Sequence, residues 1–244
     1  MKKKLVCVLA CRNQGSRLYG KPLQNLDIKK KIKVIDFLIN RIKKIKSINN
    51  IVLAISNSID NDEYINISRN HSLKYVRGNE IDVLKRLILG GEKLQATDIF
   101  RVTSESPFIY NNNRLISDAW KFHQKNNIDF SYLDPNVVDG CAFEIISMKA
   151  LIQSHKMGKK RHKSELCSLF IRENLNKFKT QKIVTPKFLL RQDIRLTIDY
   201  PEDLIICREI YKKFKNQDLN KIIKYLDKNK YLTKMCKKII TNEK

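Results

Sequence analysis

The chain has 244 residues, 42% of them apolar, enough for one large α/β domain with a well-buried core. Its formal net charge of +24 would ordinarily suggest a polyanionic partner, but the excess is mostly Lys spread over helix-type segments such as NRIKKIKSINN. It forms no Arg-rich stripe with aromatic partners, so no nucleic-acid role is expected.

The N-terminal MKKKLVCVLACR has a basic start, but its apolar run of about seven residues is closed by Arg12, which suits a first core strand better than a signal peptide. KLVCVLA and NIVLAIS are continuous apolar runs and predict buried parallel strands, with VIDFLINRIKKI between them predicting a helix. SIDNDEYINISRN predicts a second helix, LKYVRG a short strand, EIDVLKRLILGGEKLQ a third helix interrupted or ended at Gly90-Gly91, and DIFRVT another strand. This order predicts a mostly parallel sheet with helices on both faces, with ligands beyond the carboxyl ends of its strands. NNNRLISDAWKFHQKNN predicts a helix in which Trp120 and Phe122 are packing residues. IDFSYLD, AFEIISM, FKTQKIV and IRLTID predict further strands, KSELCSLFIREN and YPEDLIICREIYKKF further helices. Residues 135–185 are expected to form an inserted arm and 216–244 C-terminal helices of a single domain spanning 1–244.

No run approaches the roughly 18 to 20 apolar residues that a bilayer span needs, so no membrane association is expected. The six cysteines include no C-x-x-C pair and no His at metal spacing, which points to reduced, buried thiols in a cytoplasmic protein.

The segment ACRNQGSRLYGKPL, residues 10 to 23, follows the first strand with three basic side chains, two glycines and a serine. Glycines let amides turn toward an anion, and Arg and Lys supply charge to phosphate oxygens. It is neither a Walker A loop, which needs Ser or Thr after the Lys, nor G-x-G-x-x-G. On its own it reads equally as a phosphate loop or as a polar turn.

The loop resembles R-x-x-S-T-R-L-P-G-K-x-L, a signature of nucleotide-sugar cytidylyltransferases of the 3-deoxy-octulosonate and spore-coat polysaccharide type. YVRGNEIDVLKRL resembles that family's Arg-Gly-x-x-x-Asp-Val-Leu segment, DIFRVTSESPFI its Arg-x-Thr-Gly-Asp-x-Pro-Leu-Ile segment, and IRLTIDYPEDL its Arg-x-Thr-x-Asp-x-Pro-Glu-Asp-Leu segment. The four motifs keep the family's order over roughly residues 4 to 210.

The resemblance implies a Rossmann-like nucleotidyltransferase sheet with an inserted dimerisation and acceptor arm, and a cytoplasmic homodimer. It implies that Arg12, Gly15, Ser16 and Lys21 cradle the triphosphate of CTP with Arg17 supporting the loop, that Lys21 and Arg12 are catalytic, and that Ala10, Arg77 and Asp82 complete the nucleotide site. Glu105 and Asp199 fall at the family's metal positions and would share Mg²⁺, which prefers oxygen ligands. Asp139 and Glu144 in VVDGCAFEIIS, and Glu165 in RHKSEL, are the implied acceptor ligands, with His162 three residues before Glu165. The implied reaction moves CMP from CTP to an acid sugar of octulosonate or nonulosonate type, releasing pyrophosphate, for surface glycan synthesis. A sugar phosphate or phosphonate acceptor, or a catalytically impaired nucleotide-binding homologue, are the alternatives. Departures from the pattern are Ser104-Glu105-Ser106 where Gly-Asp is usual, Tyr19 for Pro and Gln14 for a small residue.

Overall fold

The structure is a computed structural model that describes residues 3–15, 17–215 and 218–242. In chain order the elements are β1 (Leu5–Cys11), β2 (Asn25–Asp27), β3 (Ile32–Lys33), α1 (Val34–Ile42), β4 (Asn50–Ser56), α2 (Glu63–Asn70), β5 (Lys74–Gly78), α3 (Val83–Lys93), β6 (Asp98–Arg101), α4 (Asn113–Lys125), β7 (Phe130–Tyr132), β8 (Glu144–Ser147), α5 (Met148–Met157), α6 (Leu169–Glu173), β9 (Thr180–Lys182), α7 (Pro201–Phe214), α8 (Leu219–Lys228) and α9 (Lys230–Asn242).

The principal sheet has seven strands in the order β5-β4-β1-β6-β8-β7-β9. β5, β4, β1 and β6 run parallel, β8 is antiparallel to both neighbours, and β9 is parallel to β7. β1 is apolar without a break because both of its faces are covered. Leu5, Cys7, Leu9 and Cys11 join one core with α1, α2, α4, α7, α8 and α9, while Val6 and Val8 join a second with α3, α5 and α6. This is the mostly parallel sheet, flanked on both faces, that the alternating pattern predicts.

Sequence and structure differ at three places. Helix α3 runs through Gly90 and Gly91 instead of stopping there. A Cβ on Gly90 would lie 2.6 Å from Val8 Cγ1 and 3.2 Å from Val52 Cγ1, so the glycine brings the helix down onto β1 and β4. IRLTID is not a ladder strand but a buried loop with one parallel bridge, Asp139 to Arg195. Its amides bond to loops: Leu196 N–H donates to Asp139 O at 2.8 Å and Ile198 N–H to Glu105 O at 3.1 Å. Finally, KSELCSLFIREN is helical only over α6, which lies in sequence between β8 and β9 of the principal sheet. Residues 216–217 and 243–244 of the expected C-terminal helices lie outside the described residues.

Caps fix the helices beside the sheet edge. Asp82 accepts Lys85 N–H at 2.9 Å to begin α3, and Pro201 opens α7 while Asp203 accepts the amides of Asp199 and Tyr200 at 2.9 and 3.0 Å. Each such cap is worth about 1 kcal/mol. Among the described residues no helix is long and apolar enough to cross a membrane.

Candidate active site

β1 and β6 are parallel neighbours, and the loops that follow them, with the loop before α7, form one crevice at the carboxyl edge of the parallel strands. A smaller cavity of about 130 Å³ lies between the β1 loop, α3 and the β6 loop, and opens next to a larger one of about 860 Å³. Arg17, Lys21, Arg101, Thr103, Glu105 and Glu165 line both.

The loop after β1 is pinned at both ends. Gly20 takes a left-handed backbone (φ 57°) and donates its N–H to Asn13 O at 2.8 Å. The two departures in the loop have one partner: Tyr19 OH and Gln14 Nε2 both donate to Asp60 Oδ2, at 2.9 and 3.2 Å. Hydrogen bonds from Ser58 and Tyr19 hold the Asp60 carboxyl below the usual carboxylate range. Ser16 lies outside the described residues.

Asp199 is where the basic side chains converge. Its Oδ1 accepts from Lys21 Nζ at 2.7 Å and faces Arg17 Nη2 at 3.7 Å, and its Oδ2 accepts from Arg195 Nη2 at 2.9 Å. Burial acts to raise the Asp199 carboxyl, yet Lys21, Arg17 and Arg195 together hold it below the usual range. Arg195, almost fully buried, also donates to Asp139 Oδ2 at 2.7 Å and Asp203 Oδ1 at 3.2 Å. The turn bearing Asp139 packs so closely on this loop that a Cβ on Gly140 (φ 83°) would sit 2.5 Å from Thr197 N.

Glu105 lies beside Asp199, since their loops are joined by the Ile198 N–H to Glu105 O bond. Burial lifts the Glu105 carboxyl above its usual range, Lys21 opposes this, and the charge of Asp199 adds to it. The serines around Glu105 are structural ties: Ser104 Oγ donates to Ala10 O at 2.8 Å and Ser106 Oγ to Thr197 Oγ1 at 3.1 Å. Together they bind the β6 loop to the end of β1 and to the loop before α7.

Two adjacent carboxylates fit Mg²⁺, a hard ion that uses one or two protein carboxylates and completes its shell with phosphate oxygens and water. Among the described residues no group of three or more His, Cys, Asp and Glu could hold a metal, so a site built here depends on oxygens brought by a ligand.

The other expected residues separate. Arg12 lines the smaller cavity and pairs with Glu165 at 2.5 Å, and Ala10 and Gly15 line the same wall. Arg77 faces the other way, donating to Asp62 Oδ1 and Asn57 O at 2.9 Å, and Asp82 is held by the Lys85 amide and by His155 Nε2 at 2.7 Å. Neither lines the two cavities. Arg86 does line the smaller one, donating from Nη1 to Cys11 O and Ala54 O at 2.9 Å and so closing the carbonyl ends of β1 and β4. It sits four residues after Asp82 in the same motif, the signal by which the sequence could have found it. Glu144 is buried in the wall of the larger cavity, where both its oxygens accept hydrogen bonds. His162 is buried away from it. Its Nδ1 accepts Lys159 N–H at 2.8 Å, which leaves Nε2 to donate to Glu173 Oε2 at 2.8 Å.

The family model described as Cytidylyltransferase matches residues 6–239. The chain is 29% identical over 228 residues to an uncharacterized protein of Methanocaldococcus jannaschii, covering 93% of this chain and 91% of that one. It is 25% identical over 214 residues to the spore coat polysaccharide biosynthesis protein SpsF of Bacillus subtilis, covering 86% and 87%. Among solved structures it resembles a cytidylyltransferase from Leptospira borgpetersenii with a TM-score of 0.84, 20% identity and coverage of 95% and 97%. It also resembles CMP:2-keto-3-deoxy-manno-octonic acid synthetase in complex with CTP, with a TM-score of 0.62, 13% identity and coverage of 86% and 99%. With four motifs in order, the doubly flanked sheet and a family match over nearly its whole length, the chain belongs to the cytidylyltransferase family.

Proposed function

We propose that the protein transfers CMP from CTP to an acid sugar of the 2-keto-3-deoxy octulosonate or nonulosonate type, releasing pyrophosphate, in the synthesis of a surface glycan. The observation that carries this reading is the Lys21–Asp199 pair, set at 2.7 Å between the strand-end loop and a second carboxylate, Glu105. A cation that leaves a carboxylate for incoming phosphates, and a carboxylate thereby released for a divalent ion, are the two groups that nucleotidyl transfer needs. Mg²⁺ bound by Glu105 and Asp199 would offset the charge of the triphosphate.

Arg12, Arg17 and Lys21 then orient the phosphates in the smaller cavity, and Arg12 exchanges Glu165 for a phosphate oxygen. The acceptor, in the larger cavity, forms a bond from its hydroxyl oxygen to the α-phosphorus. The bond from that phosphorus to the α–β bridging oxygen breaks, the electron pair departs with pyrophosphate, and the hydroxyl proton passes to water. The acid-sugar class is supported by the octonic acid synthetase among the structural neighbours, and the glycan role by the spore coat relative.

The test is pyrophosphate release with Mg²⁺, each of the four nucleoside triphosphates, and an acceptor panel of acid sugars, sugar phosphates and phosphonates. Release is expected only with CTP and an acid sugar. Turnover with another nucleotide, or only with a phosphorylated acceptor, would refute the assignment.

A further inference from the structure

Part of the wall of the larger cavity is built where three neighbouring strands meet. In the antiparallel register Glu144, the first residue of β8, stands opposite Arg101, the last residue of β6, on one side and Tyr132 of β7 on the other. Glu144 Oε2 accepts from Arg101 Nη1 at 3.1 Å. Its Oε1 accepts from Arg172 Nη2 of α6 and from Ser168 Oγ, both at 2.8 Å. The Arg172 guanidinium lies over the rings of Phe130 and Tyr132, at 5.1 and 5.2 Å from their centroids, and bonds Ser168 Oγ through Nε at 3.2 Å. Arg172 has no partner at Nη1 among the described residues, and its side chain remains 38% exposed, toward the cavity it lines.

Glu144 is thereby spent. Burial alone would raise its carboxyl, but the two guanidiniums outweigh burial and hold it below the usual range, so it stays ionised and serves to fix two arginines. Two guanidiniums and one carboxylate leave one net positive charge in a concave wall, which matches a monoanion; a phosphate dianion would leave the wall negative beside the triphosphate. Of the other two arginines in this cavity, Arg195 faces Asp139, Asp199 and Asp203, and Arg17 belongs to the phosphate loop and faces Asp199. Arg101 lines both cavities, so an anion on it lies beside the phosphate loop. A 2-keto acid sugar carries its carboxylate on the same carbon as the attacking anomeric oxygen, and needs its anion receptor there.

We infer that Arg101 and Arg172, set by Glu144, form the acceptor-carboxylate subsite and make the acid group a requirement for transfer. This rests on the acid-sugar reading above. Glu144 is a positioning residue in it, in place of the direct acceptor ligand that the motif implies.

The experiment compares 3-deoxy-octulosonate and a nonulosonate, each with its carboxamide analogue, at saturating CTP and Mg²⁺, for the natural protein, Arg101→Gln, Arg172→Gln and Arg172→Lys. The natural protein is expected to prefer the acid by about 100-fold or more in kcat/KM, as hydrogen-bonded charge pairs do when one partner is removed. In Arg172→Gln and Arg101→Gln the KM for the acid should rise about 10- to 100-fold and the preference fall below about tenfold. Arg172→Lys should recover part of it, and CTP affinity by calorimetry should stay within about twofold in all three variants. Glutamine variants that keep the acid preference, or that lose CTP binding in parallel with it, overturn the subsite while leaving the acid-sugar reading intact. A natural protein that turns over a sugar phosphate and neither acid overturns both.

Discussion

Lys21 and Asp199 come from loops 178 residues apart and meet in a pair whose side chains are each less than one fifth exposed. Asp199 keeps Arg195 when Lys21 is removed, so Lys21→Ala takes away the charge proposed to meet the phosphates without stranding a buried carboxylate. kcat/KM for CTP is expected to fall about 100- to 1,000-fold, equivalent to about 2.7–4 kcal/mol, with an unchanged circular dichroism spectrum. A loss below about fivefold would move the phosphate site elsewhere. Asp60 makes a milder case. It ties down Tyr19 and Gln14, so Asp60→Ala should raise the KM for CTP about 3- to 10-fold while changing unfolding free energy by less than about 1 kcal/mol, because these bonds are exposed. Urea titration and CTP saturation curves measure the two effects separately.

At the scale of elements, α3 carries both packing and site. Asp82 caps it, Arg86 closes the carbonyl ends of β1 and β4, and Gly90 lets it touch Val8 and Val52. Helix propensity alone predicts that Gly90→Ala stabilises by up to about 1 kcal/mol. The 2.6 Å approach to Val8 Cγ1, a stiff side chain in a central strand, predicts the reverse: a loss of about 1–3 kcal/mol by denaturant titration. Composition and period were a sufficient guide to β1, β4, β6, α1 and α7, because each either fills a core or shows one helical face. They misled at Gly90, whose neighbour is a strand some 82 residues earlier, and at IRLTID, whose apolar residues are buried by loops instead of by a ladder. The insertion of β8 between β6 and β7 is likewise not written in any local pattern, since it is settled by pairing over some 45 residues.

For the whole molecule, the four motifs located the crevice because each ends a strand or begins a helix at one sheet edge. What remained hidden was how its charges are shared. Gln14 and Tyr19 were visible only as departures until Asp60 appeared between them, and Glu144 looked like a ligand until Arg101 and Arg172 took both its oxygens. Arg77 has the right residue type and neighbours in sequence but points at Asp62, outside the crevice. The same two cores bury all six cysteines. Burial pushes the Cys167 thiol up to about 11 and those of Cys7, Cys11 and Cys141 higher still. Ellman's reagent at pH 8 is therefore expected to find less than about one thiol in the native protein and about six in guanidinium. Rapid reaction of several native thiols would mean that the cores open readily.

The reaction itself is tested most directly by following label from CTP onto the acid sugar. With Mg²⁺ and acceptor, nucleotidyl transfer predicts that ³²P from the α position appears in a CMP-sugar and that label from the γ position appears in pyrophosphate. Label from the γ position on the sugar, or α label found only in free CMP, would contradict it.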